Sequence, residues 1–267
     1  MAQDELVIRS ATPRDEGGIA RLLAGLSPTS ARLRFSHAVA PDEIADLAVL
    51  RPGTTSVVAL RAGVVVAEAR YERTSEDEPP ELAMAVADGQ QGRGLGTRML
   101  GALRERAAAD GLLTLRAVVR TDNRGMLRLL RTTSAAIAAP VEQGEVVFDL
   151  ATDDLMPPWP TGRAARKVLI ETRTLLDTPE VEALWEAGVE VRKCQGPVND
   201  AGRTCPALEH GECRLADTAD AVVSLLPQDD PTCRLIADDH ATHRGEALVA
   251  RTHAQWREAA PGLTEQD

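Results

Sequence analysis

Glu81-Leu82-Ala83-Met84-Ala85-Val86-Ala87-Asp88-Gly89-Gln90-Gln91-Gly92-Arg93-Gly94-Leu95-Gly96-Thr97 runs from an apolar, strand-like segment through closely spaced glycines into the start of a helix. Glycines at this spacing let main-chain N–H groups approach an anion, and the first turn of a helix adds unpaired donors and a favourable dipole. A pyrophosphate is the natural occupant. The spacing narrows the ways of holding one. A Walker loop needs Gly-Lys-Ser/Thr, which the segment lacks. The dinucleotide fingerprint Gly-x-Gly-x-x-Gly follows the first strand of its domain, whereas several strand-like segments precede this turn. The plain alternative is a tight strand-to-helix turn with no ligand.

The pattern Gln91-x-x-Gly94-x-Gly96, preceded by Val86 and Asp88, resembles the signature of the GNAT superfamily of N-acetyltransferases. The resemblance extends over residues 5 to 150, a little over half of the chain. It implies a GNAT fold, α/β in class, with a mixed, mostly antiparallel sheet flanked by helices. It also implies acetyl-CoA as co-substrate, with direct transfer of the acetyl group to an amine acceptor, a protein lysine or a small amine. Met84, Ala85 and Val86 would then line the pantetheine arm. Gln91, Gly92, Arg93, Gly94, Leu95, Gly96 and Thr97 would hold the pyrophosphate. Asn123, with Met126 beside it, follows the next strand, where the family places an Asn that contacts the cofactor.

Glu81 heads the cofactor strand and is the candidate general base, accepting the amine's proton directly or through a water. Its alternative is a solvated strand-end acid beside the acidic loop Ser75 to Pro80, which holds Glu76, Asp77 and Glu78. Backbone N–H groups near Val86 would polarise the thioester carbonyl. The stretch Leu26-Ser27-Pro28-Thr29-Ser30-Ala31-Arg32-Leu33-Arg34-Phe35 is similar to one in the bacterial protein lysine acetyltransferase branch, as is the placement of Glu81. Two positions depart from the family. Leu130 stands where many members have a Tyr acid for the departing thiolate, and Thr133-Ser134-Ala135 replaces the usual Leu-Gly-Phe. A thiolate leaves readily without an acid, so an enzyme stays in view beside a non-catalytic acyl-CoA sensor. A polyamine or antibiotic acetyltransferase would keep the chemistry and change the acceptor.

Around this motif the first 150 residues alternate strand and helix signals. Leu6 to Ile8 reads as a strand, Thr12-Pro13 opens a helix, and Pro41 opens another. Ser56 to Arg61 and Val64 to Tyr71 form a hairpin through Ala62-Gly63. Leu113 to Val119, Asn123 to Arg131 and Val146 to Leu150 follow as strand, helix and strand. The sequence therefore predicts a GNAT domain over 1–152 and a Pro- and Trp-bearing linker over 153–164. A smaller α/β domain over 165–258 and a tail over 259–267 complete the chain. In the small domain Lys167 to Glu171, Val189 to Arg192 and Ala221 to Leu226 read as strands of a parallel sheet, with a helix from Pro179 to Ala187. A receiver-like or flavodoxin-like half-sheet is the nearest pattern.

Bulk properties exclude several classes. The 267 residues are 43% hydrophobic and carry a net charge of −11, an acid excess that argues against general nucleic-acid binding and favours cationic partners. No apolar run approaches the ~20 residues of a membrane span, and the N-terminal residues lack signal-peptide character, so a cytoplasmic location is expected. Cys194, Cys205, Cys213 and Cys233 all lie in the last third. Cys194, Cys205, His210 and Cys213 include the ligand types zinc accepts, but their spacing is not that of a knuckle, and free or buried thiols are the plainer reading. His240 and His243 read as neighbouring surface polar residues rather than ligands, and Trp159, Trp185 and Trp256 as packing anchors.

Overall fold

The computed structural model describes residues 5–35, 39–75, 78–160, 165–197, 205–243 and 248–264. The chain divides into two compact units, Met1–Asn123 and Arg124–Asp267. Among the described residues no helix is long and apolar enough to cross a membrane.

In the first unit, β1 (Leu6–Ser10) leads through a short 3-10 turn, Pro13–Asp15, into α1 (Glu16–Ala24). There the Asp15 carboxylate accepts bonds from the Thr12 N–H and hydroxyl and from both arms of the Arg9 guanidinium, 2.8–2.9 Å. That fourfold clasp holds its pKa far below the usual carboxylate range, led by the Arg9 hydrogen bond. Next come α2 (Pro28–Phe35), α3 (Pro41–Leu47), β2 (Thr54–Arg61) and β3 (Val64–Glu72), then β4 (Glu81–Val86), α4 (Leu95–Ala109) and β5 (Thr114–Arg120). The sheet order is β1-β2-β3-β4-β5, antiparallel except for the parallel β4–β5 pair. The expected mixed, mostly antiparallel GNAT-like sheet with flanking helices is what the chain forms.

Each strand sends alternate side chains to opposite faces. On one face Ile19, Leu22 and Leu23 of α1 and Phe35 of α2 cover Val58, Val65 and Ala85. Helix α4 buries Leu95, Met99, Leu100, Leu103 and Ala107 at helical spacing. Each large apolar side chain so buried contributes about 1.5–3 kcal/mol. The β2–β3 hairpin turns through Ala62 and Gly63, both at positive φ, the backbone that a two-residue turn of matching twist demands.

The second unit holds α5 (Arg124–Arg131), β6 (Ala135–Ile137), β7 (Glu145–Ala151), β8 (Lys167–Glu171), α6 (Pro179–Glu186) and β9 (Glu190–Cys194). After these come α7 (Pro206–His210), β10 (Ala221–Ser224), α8 (Pro231–His243), β11 (Leu248–Ala250) and α9 (His253–Thr264). Its sheet runs β7-β6-β9-β8-β10-β11; β8, β9 and β10 are mutually parallel as expected, and β11, an addition to the expected strands, pairs parallel with β10. Antiparallel pairing of β6 with β9, Ala136 opposite Cys194, ties residues 135–151 to this sheet. The unit boundary therefore falls at Asn123, upstream of the stretch expected to act as a linker. Within that stretch Met156 and Trp159 are buried, and the Trp159 indole donates to Leu215 O at 3.0 Å.

Charged groups are also sealed inside the second unit. Lys193 is 1% exposed and donates to Asp177 Oδ1 at 2.6 Å and Leu175 O at 2.8 Å. Burial pushes the lysine pKa down while Asp177 opposes that shift. Removing the carboxylate strands a cation in the core, so Asp177→Ala is expected to cost about 3–5 kcal/mol in urea unfolding. A loss below ~1 kcal/mol would show that water reaches Lys193.

Candidate functional site

The site begins where β4 and β5 separate. Their only registered pair is Glu81 with Arg116, alongside a bond from Arg116 N–H to Pro80 O at 2.8 Å. On the other edge of β4, the bond from Ala87 N–H to Val66 O fixes the phase of the antiparallel ladder. Glu81, Ala83 and Ala85 therefore bond to β3, and the N–H groups of Met84 and Val86 point to the β5 side. With β5 gone from register there, those two donors have no partner among the described residues. An extended, amide-bearing ligand arm can take them as a further strand does.

The glycine turn lies just beyond. Gly92 and Gly94 have φ of +70° and +75°, and Gly94 caps α4 in the left-handed conformation. A Cβ at either position would meet nothing within 4 Å, so glycine serves the backbone angle there and leaves open space above it. The N–H groups from Gly92 to Thr97 donate to no acceptor among the described residues, and Gly92, Arg93 and Gly94 are exposed. A helix start with free donors and open space accepts phosphate oxygens. These residues fit the pyrophosphate of coenzyme A.

Gln91 has a different task from its neighbours. Its Nε2 donates to Val86 O at 3.0 Å and to Ser30 Oγ at 3.2 Å. It latches the turn to α2. Asp88 completes the latch, accepting from Ser30 Oγ at 2.7 Å, Ser27 Oγ at 2.7 Å and Ser27 N–H at 2.9 Å. Those hydrogen bonds, Ser30 first, hold the Asp88 pKa down to about 2. The two serines of the Leu26–Phe35 stretch thus anchor the start of α2 on the glycine turn. Further along, Arg32 reaches Asp122 beside β5 at 2.8 Å.

The depressed Asp88 pKa makes the latch pH-dependent. Its stabilisation is complete above the unfolded carboxylate pKa near ~4 and is lost as pH falls through about 2. Asp88 is exposed, so Asp88→Ala is expected to lower the melting temperature by only about 2–4 °C at neutral pH. Thermal scans should find that difference shrinking between about pH 4 and pH 2. A difference that persists undiminished at pH 2 would mean the carboxylate is not the source.

Glu81 is exposed at the head of β4. Of the acidic loop, Glu78 pairs with Arg116, while Glu76 and Asp77 lie outside the described residues. Asn123 closes the first unit and Met126 lies on α5 of the second. Leu130 is 1% exposed, a core residue with no acid to offer.

In the second unit the zinc set does not assemble. Cys194, Cys205 and Cys213 are buried in one apolar cluster while His210 is exposed, and among the described residues no group of three or more His, Cys, Asp or Glu is placed to hold a metal. Burial pushes the Cys213 thiol well above its ordinary range, which keeps it protonated. His240 corrects the surface reading. It is 1% exposed, 3.4 Å from Glu171 Oε2, because it follows Ile236 by one helical turn on the buried face of α8. The side chain of His243 lies outside the described residues.

Residues 26–133 match the acetyltransferase (GNAT) family. No curated protein matches the chain. Among solved structures, the GNAT domain of S. lividans PAT is 19% identical, covering 54% of this chain and 89% of that one with a TM-score of 0.48. A putative acetyltransferase from Salmonella typhimurium, solved with its cofactor acetyl-CoA, is 22% identical over 56% and 95%, TM-score 0.44. The ribosomal-protein-S18-alanine N-acetyltransferase from Escherichia coli is 18% identical over 56% and 95%, TM-score 0.45. The family match takes in α2, the parted strands and the glycine turn together.

Proposed function

We propose that this protein transfers an acetyl group from acetyl-CoA to an amine acceptor, a protein lysine or a small amine. The observation that carries the reading is the parting of β4 from β5 after Glu81 and Arg116, which frees the Met84 and Val86 donors next to the glycine turn. Met84 and Val86 align the pantetheine arm, and the N–H groups of Gly92 to Thr97 hold the pyrophosphate. On this reading the Val86 N–H polarises the thioester carbonyl. Glu81 accepts a proton from the incoming ammonium, directly or through a water. The amine nitrogen then bonds to the carbonyl carbon as the C–S bond breaks, the nitrogen releases its remaining surplus proton to solvent, and the sulfur leaves as a thiolate that takes a proton from solvent.

Leu130 favours a second reading, an acyl-CoA sensor, because that buried side chain supplies no proton to the thiolate. Calorimetric titration of acetyl-CoA into the full chain, followed by assay of CoA thiol release with a panel of amines, tests both. Micromolar binding with turnover supports the transferase. Binding without turnover supports the sensor, and absence of binding overturns both.

A further inference from the structure

The face of the sheet that carries Glu81 also carries a row of buried and half-buried charge. Register places Glu72 opposite Glu81, Arg70 opposite Ala83 and Glu68 opposite Ala85, so these side chains project to one side. Glu68 is fully buried, accepting from Arg70 Nε at 2.6 Å and Ser56 Oγ at 2.8 Å, yet its second oxygen and Arg70 Nη2 have no partner. Glu72 stands directly opposite Glu81, and Arg70 Nη1, which donates to Glu72 Oε1 at 3.4 Å, offsets only part of the repulsion between these like charges.

Helix α2 lies against β4 on this side. Ala31, Arg34 and Phe35 share one helix face at spacings of three and four, and Ala31 and Phe35 are part of the core beneath. Arg34 is thereby turned inward. It stacks on the Phe35 ring at 5.1 Å, its Nε is buried, and that atom has no hydrogen-bond partner. It feels the charges of Glu68, Arg70, Glu72 and Glu81 without bonding to any of them, and burial lowers its pKa. Two guanidinium groups and three carboxylates meet here. The carboxylates favour an ammonium, and the unbonded guanidinium favours a planar anion that can take its paired N–H donors.

We propose that the acceptor is an amine whose own molecule carries a carboxylate, as a free amino acid does, with its ammonium drawn to Glu72 and Glu81 and its carboxylate received by Arg34. This rests on the transferase reading and narrows it. A neutral or purely cationic amine would leave Arg34 unsatisfied in a desolvated site, at a cost that a zwitterion avoids.

The test compares kcat/KM of the full chain for a panel of free L-amino acids, the same amino acids as C-terminal amides, and a lysine peptide blocked at both ends. At least one free acid should exceed its amide by about tenfold or more, and Arg34→Gln should bring that ratio close to one. Arg34→Lys, which keeps charge but loses the planar fork, should restore only part of the ratio. Thermal unfolding and acetyl-CoA titration of each variant establish that it is folded and loaded. A wild-type ratio of one or below overturns the proposal whatever the variants do, as does a ratio that Arg34→Gln leaves unmoved. Acetylation confined to the blocked peptide, or acetyl-CoA binding with no free amino acid turned over, also overturns it. The first of those results leaves the transferase standing. Failure of acetyl-CoA to bind overturns the transferase reading itself and this inference with it.

Discussion

Gly94→Glu is expected to weaken acetyl-CoA binding by about 100-fold or more, roughly 3 kcal/mol, while leaving the protein folded. Two effects combine. The residue sits at φ +75°, so any side chain strains the backbone by about 1 kcal/mol or somewhat more. The new carboxylate then projects into the open space above the turn, where a Cβ meets nothing within 4 Å. Like charge against a pyrophosphate does the rest. Gly94→Ala separates the two, since it carries the strain without the charge and should stay within about tenfold of wild type. Equal affinity for Gly94→Glu and wild type in calorimetry would place the phosphates elsewhere.

The second large effect belongs to Glu81. Glu81→Gln keeps the shape of the side chain and removes its basicity, so kcat should fall by about 10²–10⁴-fold with acetyl-CoA affinity unchanged. High pH should recover part of the rate, because an amine that is already neutral no longer needs a base. A kcat within about threefold of wild type would reduce Glu81 to a solvated acid at a strand end.

Local chemistry made much of this structure readable from sequence. Glycines at positions 92 and 94 announced a turn, and the positive φ at both is the reason those residues are there. Strands β7 to β10 of the second unit were visible as short apolar runs, with β8 at Lys167–Glu171 as read, whereas the three-residue β6 and β11 are too short to show as runs. What escaped depends on partners distant in sequence. The separation of β4 from β5 has no composition of its own, because it is set by where two strands stop pairing. Gln91 carried a family motif, and only the fold shows its amide held by Val86 O and Ser30 Oγ. Arg34 stood in plain view within Leu26–Phe35, but its isolation follows from burial against β4. His240 was misread for the same reason, since a lone polar residue on a helix declares its face only when the opposing strand is known.

The gap between β4 and β5 has one more consequence. Peptide groups left open along a strand ordinarily invite another chain to add on, and proteins blunt such edges to avoid aggregation. Here the open groups face inward, between two strands that are still joined at one end by Glu81 and Arg116. The opening works as a wedge-shaped slot that narrows to closure. An intruding strand from another molecule needs a long flat run of neighbours and finds none, whereas a thin, flexible arm with an amide or two can slide in from the open end. The same geometry that leaves donors available thus screens what may use them, by width rather than by any particular side chain.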